Sequence, residues 1–227
     1  MEKKFLLTHG SSKTPVILQV PDGMPVQRVV LGVHGLGGNT EDDIQSSIAE
    51  EMEIFNSAII RFDFPVHGQS PHTDEFFTLE NCRQSLLAAA EYAKEQYPEV
   101  EDLCIFATGF GAYITLICLE DLVELPGKIK LVVQTPSVLM HETLLSMKNI
   151  SRPTFQAMGE ITFTRRRPLT VKYSFYEDLL ENMALVTHPE VTAIHQNGIG
   201  ITILLLTDHG HQPGISAILT PIFINGR

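Results

Sequence analysis

Basic residues are scarce in this 227-residue chain. Sixteen Lys and Arg stand against 27 Asp and Glu, a net charge of −11 at pH 7. That balance argues against nucleic acid as a partner, because phosphate binding needs clustered Lys and Arg, and it repels anionic membrane surfaces. The one basic cluster, Arg165-Arg166-Arg167 followed by Pro168, reads as a solvated loop or hairpin rather than an anion site. Cysteine is also rare. Cys82, Cys104 and Cys118 show no metal-ligand spacing, and their odd count on helix and strand faces predicts reduced, buried thiols and a cytoplasmic protein. Long apolar runs are missing as well. The start, MEKKFLLTHG, has an apolar part too short for a signal peptide, and no stretch reaches the length that spans a bilayer. There are no repeats and no low-complexity segments, and nothing implies a metal or a cofactor.

What is there suits a globular core: 44% of residues are hydrophobic and 19% charged. The length allows one large α/β domain or two small ones. Residues 28–33 (RVVLGV) read as a buried strand that ends at His34-Gly35-Leu36-Gly37-Gly38. Thr40 is placed to cap the next helix, with Glu41, Asp42 and Asp43 in its first turn. Residues 57–62 form another strand. Leu79, Cys82, Leu86, Ala89, Ala90 and Ala93 recur at helical spacing, which predicts an amphipathic helix over 79–95. A strand at 102–107, a helix from 110 and a strand at 130–134 follow. Short apolar strands alternating with helices predict an α/β fold, a mostly parallel sheet with helices on both faces. Residues 4–8 and 15–20 read as an antiparallel pair at one edge.

The alternation breaks after Pro136. Residues 137–187 carry helical stretches around 139–147 and 173–183, with a hairpin at 160–172 between them. An insertion of this size at the carboxyl side of the sheet, after the sixth strand, reads as a lid over a site. The division is then 1–136 and 188–227 as core and 137–187 as lid. Leu139, Met140, Phe155 and Phe175 of the lid suit either core packing or a pocket for an apolar or aromatic group. In the tail, 190–195 and 201–206 read as strands and 215–224 as a helix. The gap 196–200 is too short for a parallel crossover, so those two strands form a hairpin or one of them is not a strand.

Residues 102–117 read DLCIFATGFGAYITLI: an apolar run, a tight small-residue turn, then a helix-compatible run. That is the layout of a nucleophile elbow, G-x-S-x-G on a sharp strand-to-helix turn. Here the pentapeptide is Ala107-Thr108-Gly109-Phe110-Gly111, and its centre carries no hydroxyl. Thr108 precedes the centre, so its side chain points away and does not replace it.

Three motifs in order, the His34–Gly38 loop, the stretch Arg61-Phe62-Asp63-Phe64-Pro65-Val66-His67-Gly68-Gln69-Ser70 and the turn at 107–112, resemble the α/β-hydrolase superfamily. The chain is similar to its small bacterial serine esterases, including cinnamoyl and feruloyl esterase-like members, over roughly residues 25–185. The resemblance implies a lid after the sixth strand and an acyl-transfer site. There a Ser attacks an acyl carbon, a His takes its proton, an acid holds the His, and backbone N–H groups stabilise the oxyanion. The donors would be the N–H groups of Leu36 and Phe110, with Gly35 and His34 in the same substrate-binding loop. Gly109 holds the nucleophile position. The base falls on His209 in Thr207-Asp208-His209-Gly210, with His211 as competitor. The acid position of the family falls on Ile199, with Asn197 the nearest polar residue; in another register Asp208 is the acid, and both registers leave the triad incomplete. His67 and Ser70 belong to a structural turn in this pattern.

The substrate class implied is a small-molecule ester or acid, with an apolar or aromatic acyl group. Three readings follow. In the first, an ester hydrolase has lost its nucleophile, naturally or by design, and is inactive or strongly impaired. In the second, the same scaffold is a non-catalytic ligand- or partner-binding pseudohydrolase, which the degraded acid position favours. In the third, which ranks last, His209 acts directly on water.

Overall fold

The computed structural model describes residues 1–183 and the backbone of 201–205. Strands β1 (Glu2–His9) and β2 (Ser12–Gln19) form an antiparallel hairpin at one edge of the sheet. β2 then pairs antiparallel with β4 (Ser57–Phe62). From there the sheet is parallel, through β3 (Arg28–Val33) and β5 (Asp102–Thr108) to β6 (Lys128–Gln134). The resulting order is β1-β2-β4-β3-β5-β6, and the backbone of β9 (Ile201–Leu205) adds antiparallel to β6. The expected mixed but mostly parallel sheet is therefore present. The strand expected at 190–195 and the helix at 215–224 lie outside the described residues.

The apolar pattern explains which strands are central. SAIIRF of β4 is buried along its whole length, and RVVLGV of β3 at all but its first residue, as strands covered on both faces require. α2 (Leu79–Gln96), α3 (Gly109–Ile117) and α4 (Leu119–Val123) cover one face, where Val29, Leu31, Ala58, Ile60, Leu103 and Ile105 meet Leu86, Ala89 and Ile114. α1 (Asp43–Ile54) covers the other, with Ala49 against Val30 and Ile59. Thr78 caps α2 by accepting the Asn81 N–H at 3.1 Å.

One local expectation fails. Thr40 does not cap α1, which starts at Asp43 behind Asp42. The Thr40 backbone is held elsewhere, its N–H by Asp63 and its carbonyl by Arg61. The helix expected from 110 is α3, which ends at Ile117, and α4 follows as a separate turn. Of the three thiols, Cys82 and Cys118 are buried, but Cys104 is only half-buried on the thinner face; all three are free.

After β6 the chain makes an excursion: α5 (Met140–Lys148), α6 (Arg152–Met158), the antiparallel pair β7 (Glu160–Phe163) and β8 (Leu169–Lys172), then α7 (Tyr173–Glu181). The hairpin and the two outer helices match the sequence expectation. α6 was not foreseen, although Ser151 carries its signal: the hydroxyl accepts the Thr154 N–H, and a proline occupies the first turn. Met140, Phe155 and Phe175 are buried in the core and Leu139 is half-buried, so these residues are packing. No helix among the described residues is long and apolar enough to cross a membrane.

The tightest contact between α3 and the sheet is at Gly111. A Cβ there would lie 2.4 Å from the His34 carbonyl oxygen and 2.9 Å from that of Val33. Backbone cannot give way as a flexible side chain does, so Gly111→Ala must push α3 off β3. We expect it to cost about 1–3 kcal/mol or more, read as a lower urea midpoint.

Candidate functional site

Three loops meet at the carboxyl ends of adjacent parallel strands, where open α/β sheets build their sites. They are the glycine loop 34–38 after β3, the turn 63–70 after β4, and the β5–α3 junction. At that junction Thr108 is extended and Gly109 opens the helix at φ +49°, in the left-handed region. A side chain at 109 would enter open space, its nearest neighbour being the Cα of Gly35 at 3.9 Å. Thr108 directs its hydroxyl to the Val33 carbonyl at 3.5 Å, on the sheet side. Among the described residues, the N–H groups of Leu36 and Phe110 meet no acceptor. The N–H of Phe110 belongs to the first turn of α3, whose leading N–H groups have no partner within the helix.

Two buried histidines hold the glycine loop against the 63–70 turn. His34 donates from Nδ1 to the Gly35 carbonyl at 2.8 Å, and its Nε2 accepts the Phe64 N–H at 3.1 Å. His67 uses its nitrogens in the same way: Nδ1 donates to the Pro65 carbonyl at 2.8 Å, and Nε2 accepts the Gly37 N–H at 2.9 Å. Each loop thus supplies an imidazole that takes an N–H from the other. This assignment of protons follows from the partners, since a backbone N–H can only donate. Burial lowers the His34 pKa to about 4 and that of His67 to about 3, so both rings are neutral at neutral pH.

Asp63 ties the same turn to the chain beyond the glycine loop. One oxygen accepts the Thr40 N–H and the other the Gln69 N–H, each at 2.8 Å. Burial raises its pKa despite these bonds. Gly68, at φ +48°, has room for no side chain, because a Cβ would fall 2.3 Å from Asp63 Oδ2. Ser70 accepts the Val66 N–H at 3.1 Å. His67 and Ser70 are thus structural, as the sequence pattern suggested.

Arg167, in the turn between β7 and β8, reaches across to this scaffold. Its guanidinium donates to the carbonyls of Ser70 at 2.6 Å, His72 at 2.8 Å and Gly68 at 3.4 Å. The stem of Arg165 lies over Gly37, where a Cβ would come within 2.8 Å of its Cγ. The basic cluster does sit in a hairpin with Arg165 and Arg166 exposed, but Arg167 is half-buried and docked rather than solvated. Between turn and loops lies a cavity of about 250 Å3, lined by residues including Gly38, Asn39, Asp63, His67, Gln69 and Arg166. Neither Gly109 nor Phe110 lines it.

The chain is similar in structure to three solved proteins in particular. A protein from Agrobacterium vitis S4 named as a hydrolase superposes with a TM-score of 0.64 at 15% identity, covering 82% of this chain and 73% of that one. Est1E from Butyrivibrio proteoclasticus, with ferulic acid bound, gives 0.62 at 17% identity, over 79% and 72%. Mouse alpha/beta hydrolase domain-containing protein 10 gives 0.52 at 14% identity, over 79% and 70%. The fold is that of the α/β hydrolases. No family model matches the sequence, and no curated protein is similar to it in sequence.

In this α/β-hydrolase fold the structure brings His34, Gly35, Leu36, Gly109 and Phe110 together. Asn197, Asp208, His209 and His211 lie outside the described residues. No cluster of metal-ligating side chains occurs among the described residues. Sequence reasoning missed the roles of Asp63 and Arg167. Asp63 had a signal, its fixed spacing before His-Gly-x-Ser; Arg167 had none, because its partners stand 95–99 residues earlier.

The two histidines set an acid limit on this site. Their folded pKa values lie below the ordinary 6.5, so their stabilisation is complete above that value and is lost as pH falls toward 4 and 3. Asp63 runs the other way: its raised pKa favours the fold in acid and loses that contribution as pH rises. Going from about pH 7 to about pH 5 should cost on the order of 1–2 kcal/mol per histidine. Urea unfolding at both pH values measures this, and His67→Asn, though less stable at pH 7, should lose less between them.

Proposed function

We propose that this protein is a carboxylic-ester hydrolase scaffold with its nucleophile position vacant at Gly109, and that it turns over esters slowly or not at all. The observation that carries the reading is the β5–α3 junction. A glycine at φ +49° faces open space across from Gly35, and the N–H groups of Leu36, next to Gly35, and Phe110, next to Gly109, meet no acceptor among the described residues. A hydroxyl on residue 109 would stand where an attacking oxygen belongs, and the two N–H groups would take the charge of the tetrahedral intermediate. The base falls to His209 with Asn197 nearest the acid position, or, in the other register, the acid falls to Asp208; the triad is incomplete in both. The excursion 137–187 serves as a lid, and the ligand is a small ester or acid. Est1E, which binds ferulic acid, supports an aromatic acyl group. The protein works in the cytoplasm, without nucleic acid or membrane.

The absence of any side chain at 109 also favours a second reading, a pseudohydrolase that binds an ester or acid, or a partner, without cleaving it. Gly109→Ser separates the two. The Cβ fits, but a serine at this φ costs about 1–3 kcal/mol of strain. If only the nucleophile is missing, the variant should hydrolyse p-nitrophenyl esters with an acyl-enzyme burst, while the parent stays far below the ~1–10³ per second of ordinary enzymes. The gain should be small without a carboxylate behind the histidine, since exchanging the triad Asp for Asn in a serine protease lowers the rate by about 10⁴. A folded Gly109→Ser that binds an acid yet shows no hydrolysis would leave the binding protein as the function.

A further inference from the structure

The cavity under the β7–β8 turn has an uneven balance of donors and acceptors. Most of its side-chain acceptors are engaged. Both oxygens of Asp63 hold backbone N–H groups, one oxygen of Glu41 is paired with Lys4, the Asn39 side-chain oxygen accepts the Glu41 N–H, and Nε2 of His67 is filled by the Gly37 N–H. Several donors are not. Among the described residues the Arg166 guanidinium has no hydrogen-bond or ion-pair partner, and neither do the side-chain amide nitrogens of Asn39 and Gln69. The backbone beside Arg166 is anchored, because the next residue, Arg167, donates to three carbonyls. An exposed guanidinium with spare hydrogens beside two free amides matches the oxygens of an anion.

We propose that this cavity is a second binding site, separate from Gly109, for a small oxyanion: the carboxylate of a small organic acid or inorganic phosphate. Arg166 contributes the paired donors, Asn39 and Gln69 the lateral ones, and Arg167 a neighbouring positive charge whose own hydrogens are engaged. A cation fits less well, since both carboxylate oxygens of Asp63 in the wall hold N–H groups and Glu41 already has Lys4 on one oxygen. The volume of about 250 Å3 falls below the roughly 300–1,000 Å3 of drug-sized pockets, which limits the ligand to a small one.

Calorimetric titration of the intact chain in low salt, once with sodium phosphate and once with sodium benzoate, tests this. We expect one saturable site with a Kd of about 1 mM or tighter for at least one of them. Saturation by benzoate alone assigns an organic acid, and saturation by phosphate alone assigns phosphate. Arg166→Gln should weaken binding about ten- to a hundredfold, as loss of a charged hydrogen bond does. Arg166→Lys should retain part of it, through the charge without the fork. Arg166 is exposed and makes no hydrogen bond or ion pair among the described residues, so these variants should fold normally, which an unchanged melting curve verifies. No saturable binding of either anion, or binding that Arg166→Gln leaves unchanged, would overturn the proposal.

Discussion

The reciprocal pairing of His34 and His67 is the contact on which the site depends. Each ring must donate from Nδ1 within its own loop so that Nε2 stays free for an N–H of the other loop. A protonated ring would lose its acceptor, and the two loops would lose their mutual bond. Burial prevents this by penalising the charged form, and the aromatic rings of Phe64 and Phe77 pack against the imidazoles to maintain it. The position of Gly35 and Leu36, and hence the space opposite Gly109, follows from that pairing.

The junction at residue 109 owes its shape to its surroundings. β5 runs parallel to β3 up to Ala107, and α3 lies so close to β3 that only a glycine fits at 111. The chain must therefore reverse direction sharply between Thr108 and Phe110, and a left-handed residue achieves it. Glycine adopts that conformation at little cost. The turn thus persists with no side chain at its centre, and the Phe110 N–H, which meets no acceptor among the described residues, follows from backbone direction.

The 140–181 excursion is joined to the core by more than apolar packing. Phe175 stacks on Phe77 with ring centroids 4.6 Å apart, and Tyr113 of α3 donates to the Asn182 carbonyl at 2.6 Å. Arg167 adds a polar anchor on the opposite side, against the turn that carries His67. Charge repulsion within Arg165-Arg166-Arg167 is relieved because the carbonyl oxygens of residues 68, 70 and 72 take up one of the three. A surface charge run thereby becomes part of a cavity wall.

By itself the sequence determined the strand–helix alternation, the buried central strands and the small-residue turn at 107–111, because apolar period and glycine spacing are local properties. It also identified the His34 and His67 segments as neighbours of that turn, through motif order. Tertiary structure alone decided the rest. Thr40 left its helix-cap role because Asp63 and Arg61, 21–23 residues away, hold its backbone. The proton positions on the two histidines were set by N–H groups 30 residues distant. Arg167 was docked by a loop about a hundred residues earlier, while Arg166 beside it has unspent donors among the described residues. Each of these depends on which loops the parallel sheet brings to its carboxyl edge, and no local pattern encodes that meeting.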